Sequence, residues 1–179
     1  MIIWLASYPK SGNTLLRSLL SAYFYSKDGL FNFELLKNIP YFPSHNFFKN
    51  LNVNIKDDSE VIKNYINVQK KFIQNKERIF FLKTHSSLFR ANNHSFTNLQ
   101  TSLGAIYVVR DPRNLITSMT HHYSLNYDQA YFKIINENQT LLEKSTDGDY
   151  SNFTFLGSWS SHYKSWKNTN NFKILFIKY

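Results

Sequence analysis

The stretch IIWLASYPKSGNTLLRSLL, Ile2 to Leu20, constrains the fold more than any other part of the chain. Ile2 to Ala6 is a short apolar run that reads as a buried strand. It ends in a turn marked by Pro9 and Gly12. Beyond the turn Leu15, Leu16, Leu19, Leu20 and Tyr23 recur at helical spacing, so the pattern predicts a helix from about Thr14. Strand, tight turn and helix in direct succession point backbone N–H groups and a helix N-terminus at one spot, which favours an anion there. The turn itself, SYPKSGNT at Ser7 to Thr14, lacks the two-glycine frame and terminal Lys-Ser/Thr of the common P-loop. Lys10 is its single cation, and Ser11, Asn13 and Thr14 carry hydrogen-bonding side chains. Amides around Ser11 to Leu15 could cradle a phosphate, with Lys10 against a departing oxygen. A plain β-to-α turn with an exposed lysine fits the same residues.

The rest of the chain repeats the alternation. Arg78 to Lys83 (RIFFLK), Ala105 to Val109 (AIYVV) and Lys173 to Tyr179 (KILFIKY) read as further strands. A helix is expected from the N-cap candidates Asp57 and Asp58 through about Lys76. Others are expected after Pro112, over Tyr127 to Leu142, and over Phe155 to Lys167. Residues 27–56 and 86–103 read as irregular connections, and Ser145 to Asn152 as a loop. Strands alternating with helices argue for a single α/β domain with a central, mainly parallel sheet flanked by helices. A parallel sheet normally runs on into a covering helix. The sequence stops directly after a strand, so it reads as a truncated domain.

Charge and composition narrow the partners. The net charge of +9 suggests an anionic partner such as a nucleotide, nucleic acid, sulfated polymer or membrane surface. The basic residues are scattered, however, so a solvated Lys- and Asn-rich surface accounts for them equally well. The absence of cysteine excludes disulfides, thiolate metal sites and a Cys nucleophile. No stretch approaches the roughly 20 apolar residues that cross a bilayer, and MIIWLA is too short for a signal peptide. A cytoplasmic protein is the expectation.

Two further places carry candidate chemistry. In FLKTHSSLF, Phe81 to Phe89, the residues Lys83, Thr84 and His85 fall at a strand exit. Ligands of open α/β sheets collect there, and a histidine at such a place can act as a general base. A cap or surface histidine is the alternative. In YVVRDPRNLITSMTHHY, Tyr107 to Tyr123, Arg110 leaves its strand at the same expected edge and Ser118 follows two helical turns later. Arginine offers a forked grip on phosphate, and serine adds a hydroxyl. A surface pairing of Arg110 with Asp111 is the competing reading. His121 and His122 are adjacent in a helix and point in different directions, with no acid at ligand spacing, so a metal site is not expected there.

In this order SYPKSGNT, LKTH, YVVRDPRNLITSMTHHY and GSWSSHYKSW (Gly157 to Trp166) resemble the cytosolic-type sulfotransferases, over nearly the whole chain. These enzymes use 3′-phosphoadenosine 5′-phosphosulfate (PAPS) and release adenosine 3′,5′-bisphosphate (PAP). The resemblance implies a P-loop-like three-layer fold and a sulfuryl transfer from PAPS to a hydroxyl or amine acceptor, with no metal required. Residue by residue it implies that Lys10, Ser11, Gly12, Asn13 and Thr14 hold the 5′-phosphosulfate, with Lys10 on the bridging oxygen. It implies Lys83 on the sulfuryl oxygens with Thr84 beside it, His85 as catalytic base, and Arg110 and Ser118 on the 3′-phosphate. Trp159 and His162 fall in a recurrent motif with a packing and supporting role. The chain departs from the family at Asn13, where threonine is usual, and at Leu15, where tryptophan stacks on adenine. The family's C-terminal Gly-rich basic loop has no counterpart in these residues.

Sulfuryl transfer has a loose, charge-spreading transition state, so positioning and positive charge suffice for it. Two other classes stay open at this point. A P-loop-like small-molecule kinase would use ATP and Mg²⁺, although the Gly-Lys-Ser/Thr frame and an evident Mg²⁺ acid are absent. A non-catalytic nucleotide or nucleic-acid binder would use the net charge, although the aromatics fall in core-like patterns. An acceptor pocket is expected from residues 27–56, 86–103 and 124–155. Its aromatic content admits a lipid, a phenol, a sugar or an amine.

Overall fold

A computed structural model describes residues 1–49, 51–74, 78–91, 93–144 and 150–179. The chain runs β1 (Ile2–Ser7), α1 (Asn13–Tyr25), a 3₁₀ helix (Phe33–Asn38), α2 (His45–Phe48), α3 (Asp58–Lys63), α4 (Tyr65–Ile73) and β2 (Phe80–Thr84). It continues through β3 (Arg90–Ala91), β4 (His94–Ser95), β5 (Ser102–Val109), α5 (Pro112–Tyr123), α6 (Tyr127–Ile135), β6 (Thr140–Lys144), β7 (Tyr150–Phe155), α7 (Trp159–Lys167) and β8 (Lys173–Lys178).

The central sheet has the order β2-β1-β5-β8, and every pairing in it is parallel. Ala6 stands beside Thr84, Ser7 beside Val108, and Val109 beside Lys178. This register brings the carboxyl ends of all four strands to one edge. β1 has neighbours on both sides, so the chain leaves it in one direction to reach β2 and returns past it to β5. That reversal of strand order is where open α/β sheets form a crevice.

The core explains why these strands hold their places. Ile2, Trp4 and Ala6 of β1, Leu82 of β2, and Ala105 and Tyr107 of β5 are buried together. Val61 of α3, Tyr65 and Val68 of α4 and Trp166 of α7 close over them. Trp4 also donates its indole N–H to Ser102 Oγ at 2.7 Å, so its polar atom is paired inside the core. A second cluster joins Tyr8, Leu115 and Met119 of α5, and Ala130 and Ile134 of α6.

Five expectations differ from the structure in detail. The helix expected from Asp57 is broken at Asn64, whose side-chain amide bonds back to Glu60 O at 2.9 Å. Asparagine competes with the helix main chain in this way. Asp57 does cap α3, accepting from Ser59 N and Glu60 N; the expected end at Lys76 lies outside the described residues. The helix over Tyr127 stops at Ile135, because Asn136 turns to extended backbone and Thr140–Lys144 pairs with β7 instead. The loop expected over Ser145 to Asn152 lies outside the described residues at 145–149, and its later part belongs to β7. The last helix starts at Trp159 rather than Phe155, since Gly157 has φ 65° and Ser158 caps the helix through Ser161 N. Within 86–103 the connection carries the small antiparallel ribbon β3–β4.

Candidate functional site

The turn between β1 and α1 is shaped for an anion by its backbone. Lys10 has φ 67° and Gly12 has φ 94°. Left-handed residues placed among right-handed ones curl successive N–H groups towards one point. Gly12 caps α1 without any side-chain bond, and the first bond into the helix is Leu16 N–H to Gly12 O at 3.2 Å. The amides of Asn13, Thr14 and Leu15 therefore have no acceptor within the helix. Among the described residues Ser11 Oγ and Asn13 Oδ1 are buried with no partner. The Asn13 amide points the other way, donating to Leu5 O at 2.8 Å and Ser7 Oγ at 3.2 Å. It braces the turn against β1, while its main chain contributes to the helix end.

The turn opens into a cavity of about 490 Å³ lined by Pro9, Lys10, Gly12, Asn13, Thr14, Leu15, Lys83, His85, Arg110, Ser118, His122, Tyr123, Leu141 and Tyr179. Lys10, Arg110, Ser118 and His122 also line an adjoining cavity of about 560 Å³ with Asn114, Thr117 and His121. Three strand exits, far apart in sequence, thus deliver Lys10, Lys83 and Arg110 to one hollow. Among the described residues no carboxylate side chain lines either cavity.

Each cation is held differently. Arg110 Nη1 donates to Lys10 O at 2.8 Å, tying the β5 exit to the turn, and its guanidinium lies 5.0 Å from the centre of the Tyr179 ring. Lys83 faces the Tyr41 ring at 5.6 Å. Burial, with the Arg17 charge as a second cause, brings the Lys83 ammonium down to about 8. Arg17 itself is fixed by bonds to Leu36 O and Ile39 O, both at 2.7 Å.

His85 has a defined tautomer. Its Nδ1 lies 2.8 Å from Ser7 O, and a carbonyl only accepts, so Nδ1 carries the proton. Nε2 is left with its lone pair. Burial first, and then the Lys83 charge, push the imidazole down to about 3, so the ring is neutral at pH 7. A neutral imidazole with an unprotonated nitrogen can accept a proton from a hydroxyl or amine.

A family model for the sulfotransferase domain matches residues 2–179. The chain belongs to the sulfotransferase domain family. Two solved structures share the fold of this sulfotransferase domain. Mouse sulfotransferase SULT7A1 complexed with PAP is 20% identical with a TM-score of 0.50, over 99% of this chain and 50% of that one. Retinol dehydratase in complex with androsterone and inactive cofactor PAP is 19% identical with a TM-score of 0.50, over 98% of this chain and 53% of that one. The sulfotransferase domain described here therefore spans about half the length of those two proteins. No curated protein matches its sequence.

Not every candidate of this sulfotransferase domain reaches the cavity. Ser11 is buried beneath the turn rather than on the cavity wall. Thr84 is buried and accepts from Ser86 N at 3.0 Å, which shapes the turn after β2. Trp159 stacks on Tyr163, with ring centres 5.9 Å apart, and His162 is fully buried. Conversely, Tyr179 was legible only as a strand residue. It continues the β5–β8 pairing through Tyr179 N–H to Val109 O at 2.8 Å and presents its ring to Gly12. Its position just past a parallel strand was the available signal. Tyr41 and Arg17 had none, because their roles come from where the irregular segment folds.

Proposed function

We propose that this chain carries the donor-binding and catalytic centre of a PAPS-dependent sulfotransferase, transferring a sulfuryl group to a hydroxyl or amine acceptor. The supporting observation is the convergence of Lys10, Lys83, Arg110 and a neutral His85 on one hollow over a helix N-terminus, with no carboxylate side chain among its described lining residues. The residues fit such a donor: unpaired helix amides and a curled turn suit a phosphosulfate, and the adjoining cavity with Arg110 and Ser118 suits a second phosphate. PAPS, when bound, supplies the activated sulfuryl group.

Lys10, Gly12 and the amides of Asn13 and Thr14 bind the 5′ end, with Ser11 beneath them. Lys10 stabilises charge at the leaving oxygen, and Lys83 holds the equatorial oxygens. His85 Nε2 takes the acceptor's proton while Nδ1–H stays on Ser7 O. Arg110 and Ser118 anchor the 3′-phosphate, whose binding energy fixes the donor for in-line attack. The acceptor approaches between Tyr123 and Leu141, both on the cavity wall. A third cavity, of about 400 Å³, shares Pro9, Tyr123 and Leu141 with the first. Residues 88–90 and 95–97 line a separate hollow. The reading takes residues 1–179 as one domain and the cytoplasm as its compartment, with a nucleotide donor and a small-molecule acceptor as partners.

Thermal-shift titrations with PAP and with ATP–Mg²⁺ test it. Stabilisation by PAP is expected. A response to ATP–Mg²⁺ alone would favour a kinase, and salt-sensitive binding of single-stranded nucleic acid without any PAP response would favour a binding module.

A further inference from the structure

His162 lies on α7, outside the cavity, yet it touches the main chain of His85. Its Nε2 is 2.9 Å from His85 O. A carbonyl only accepts, so Nε2 carries the proton and Nδ1 is unprotonated. Nδ1 is 2.8 Å from Tyr107 Oη, which therefore donates to it. The chain of donors runs Tyr107 O–H to His162 and His162 N–H to His85 C=O. Both members are buried, so neither bond has water as a ready replacement.

The bond is part of a larger grip. Trp166 Nε1 donates to Ser86 O at 3.0 Å, and Leu88 N–H donates to Ser165 Oγ at 3.0 Å. Residues 162, 165 and 166 share one face of α7, as positions three and four apart must. That face holds the segment from His85 to Leu88 from one side. On the other side the His85 ring is held by Ser7 O. A shift of the His85 main chain as a unit would break the His162 bond and carry the ring off Ser7.

We propose that His162 is a positioning residue, which, locked by Tyr107 as the Nε2–H tautomer, fixes the His85 main chain so that the ring keeps Nδ1–H on Ser7 and turns Nε2 into the cavity. The proposal rests on the reading of His85 as the catalytic base. The groups facing His162 are Tyr8, with ring centres 5.4 Å apart, Tyr107 and the His85 main chain. Those facing His85 are Lys83, Tyr41, Ser7 and His162. Among the described residues no carboxylate belongs to either set, so the tautomers are set by the hydrogen-bond partners rather than by an ion pair.

The test compares ¹⁵N-labelled wild type with His162→Gln, which retains a donor, and His162→Phe, which retains ring volume alone. Imidazole ¹⁵N spectra read the His85 tautomer and its titration, and PAP affinity is measured in parallel. Wild type and His162→Gln should show a single Nδ1–H tautomer that stays neutral from about pH 5 to 8. His162→Phe should show both tautomers and a titration moved towards the ordinary 6.5. It should lower kcat by about a hundredfold while PAP affinity stays within about threefold. If His162→Phe does not fold, Tyr107→Phe should move the His85 signal in the same direction by a smaller amount. An unchanged His85 tautomer and titration in the folded variant overturns the proposal. Failure of wild type to bind PAP sinks the donor reading instead, and the imidazole spectra still decide the His162–His85 coupling.

Discussion

Acid should unfold this protein through its buried histidines, and His162 provides the clearest measurement. The ring is completely enclosed, and burial lowers it to about 4 from the ordinary 6.5, against the raising effect of its bond to His85. Above pH 6.5 the ring is neutral in the folded and unfolded chains alike and contributes no pH dependence. As pH falls below 6.5 the unfolded chain takes up a proton that the folded chain refuses, so stability drops until about pH 4. At about 1.4 kcal/mol per pH unit, the loss at pH 4.5 is roughly 2–3 kcal/mol. That is a large part of the roughly 5–15 kcal/mol that holds a domain together. His162→Gln cannot titrate and keeps a donor for His85 O. Urea unfolding followed by far-UV circular dichroism at pH 7 and pH 4.5 gives the difference for both proteins. The variant should lose about 2–3 kcal/mol less than wild type over this interval. Equal losses would show that His162 is protonated freely in the folded state, and the enclosed, hydrogen-bonded ring would be wrong.

Three further outcomes follow from the same geometry. Arg110→Ala removes a charged fork and the tie to Lys10 O, so PAP affinity by calorimetry should fall about 10- to 100-fold; an unchanged affinity would remove Arg110 from the donor site. Lys83, lowered to about 8, loses its positive charge as pH rises past that value, so affinity for PAPS, which carries the sulfuryl oxygens, should fall by up to about tenfold between pH 7 and 9, and Lys83→Met should show no such trend. Gly12→Ala places a methyl group into the Tyr179 ring at a residue with φ 94°, which should cost about 1–2 kcal/mol in urea unfolding and weaken PAP binding; a neutral substitution would contradict the turn geometry.

Strong local patterns carried most of the fold. The apolar runs that open and close the sheet have no competing reading at their length, and Pro112 marks a helix start that the structure reproduces, where Asp111 adds a cap by accepting from Arg113 N. The boundaries that moved lie where polar side chains compete with the main chain: at Asn64, at Asn136, and at the Gly157–Ser158 corner. The hairpin β6–β7 is not legible in the sequence because Leu141 and Leu142 continue the helical apolar spacing of α6, and only the partner strand makes Thr140–Lys144 extended.

By itself the sequence determined which residue types leave each strand: a lysine-bearing turn, a Lys-Thr-His and an Arg-Asp-Pro. Covalent neighbourhood and side-chain periodicity decide that much, because strand exits follow from short-range patterning. Tertiary structure decided which of them meet. Parallel pairing with Ala6 beside Thr84 and Ser7 beside Val108 brings Lys10, His85 and Arg110 to one hollow. It turned the Asn13 amide inward, brought Tyr41 and Tyr179 to the cations, and fixed the tautomer of His85 through carbonyls distant in sequence. Those contacts depend on long-range register and on burial, neither of which is encoded within any single segment.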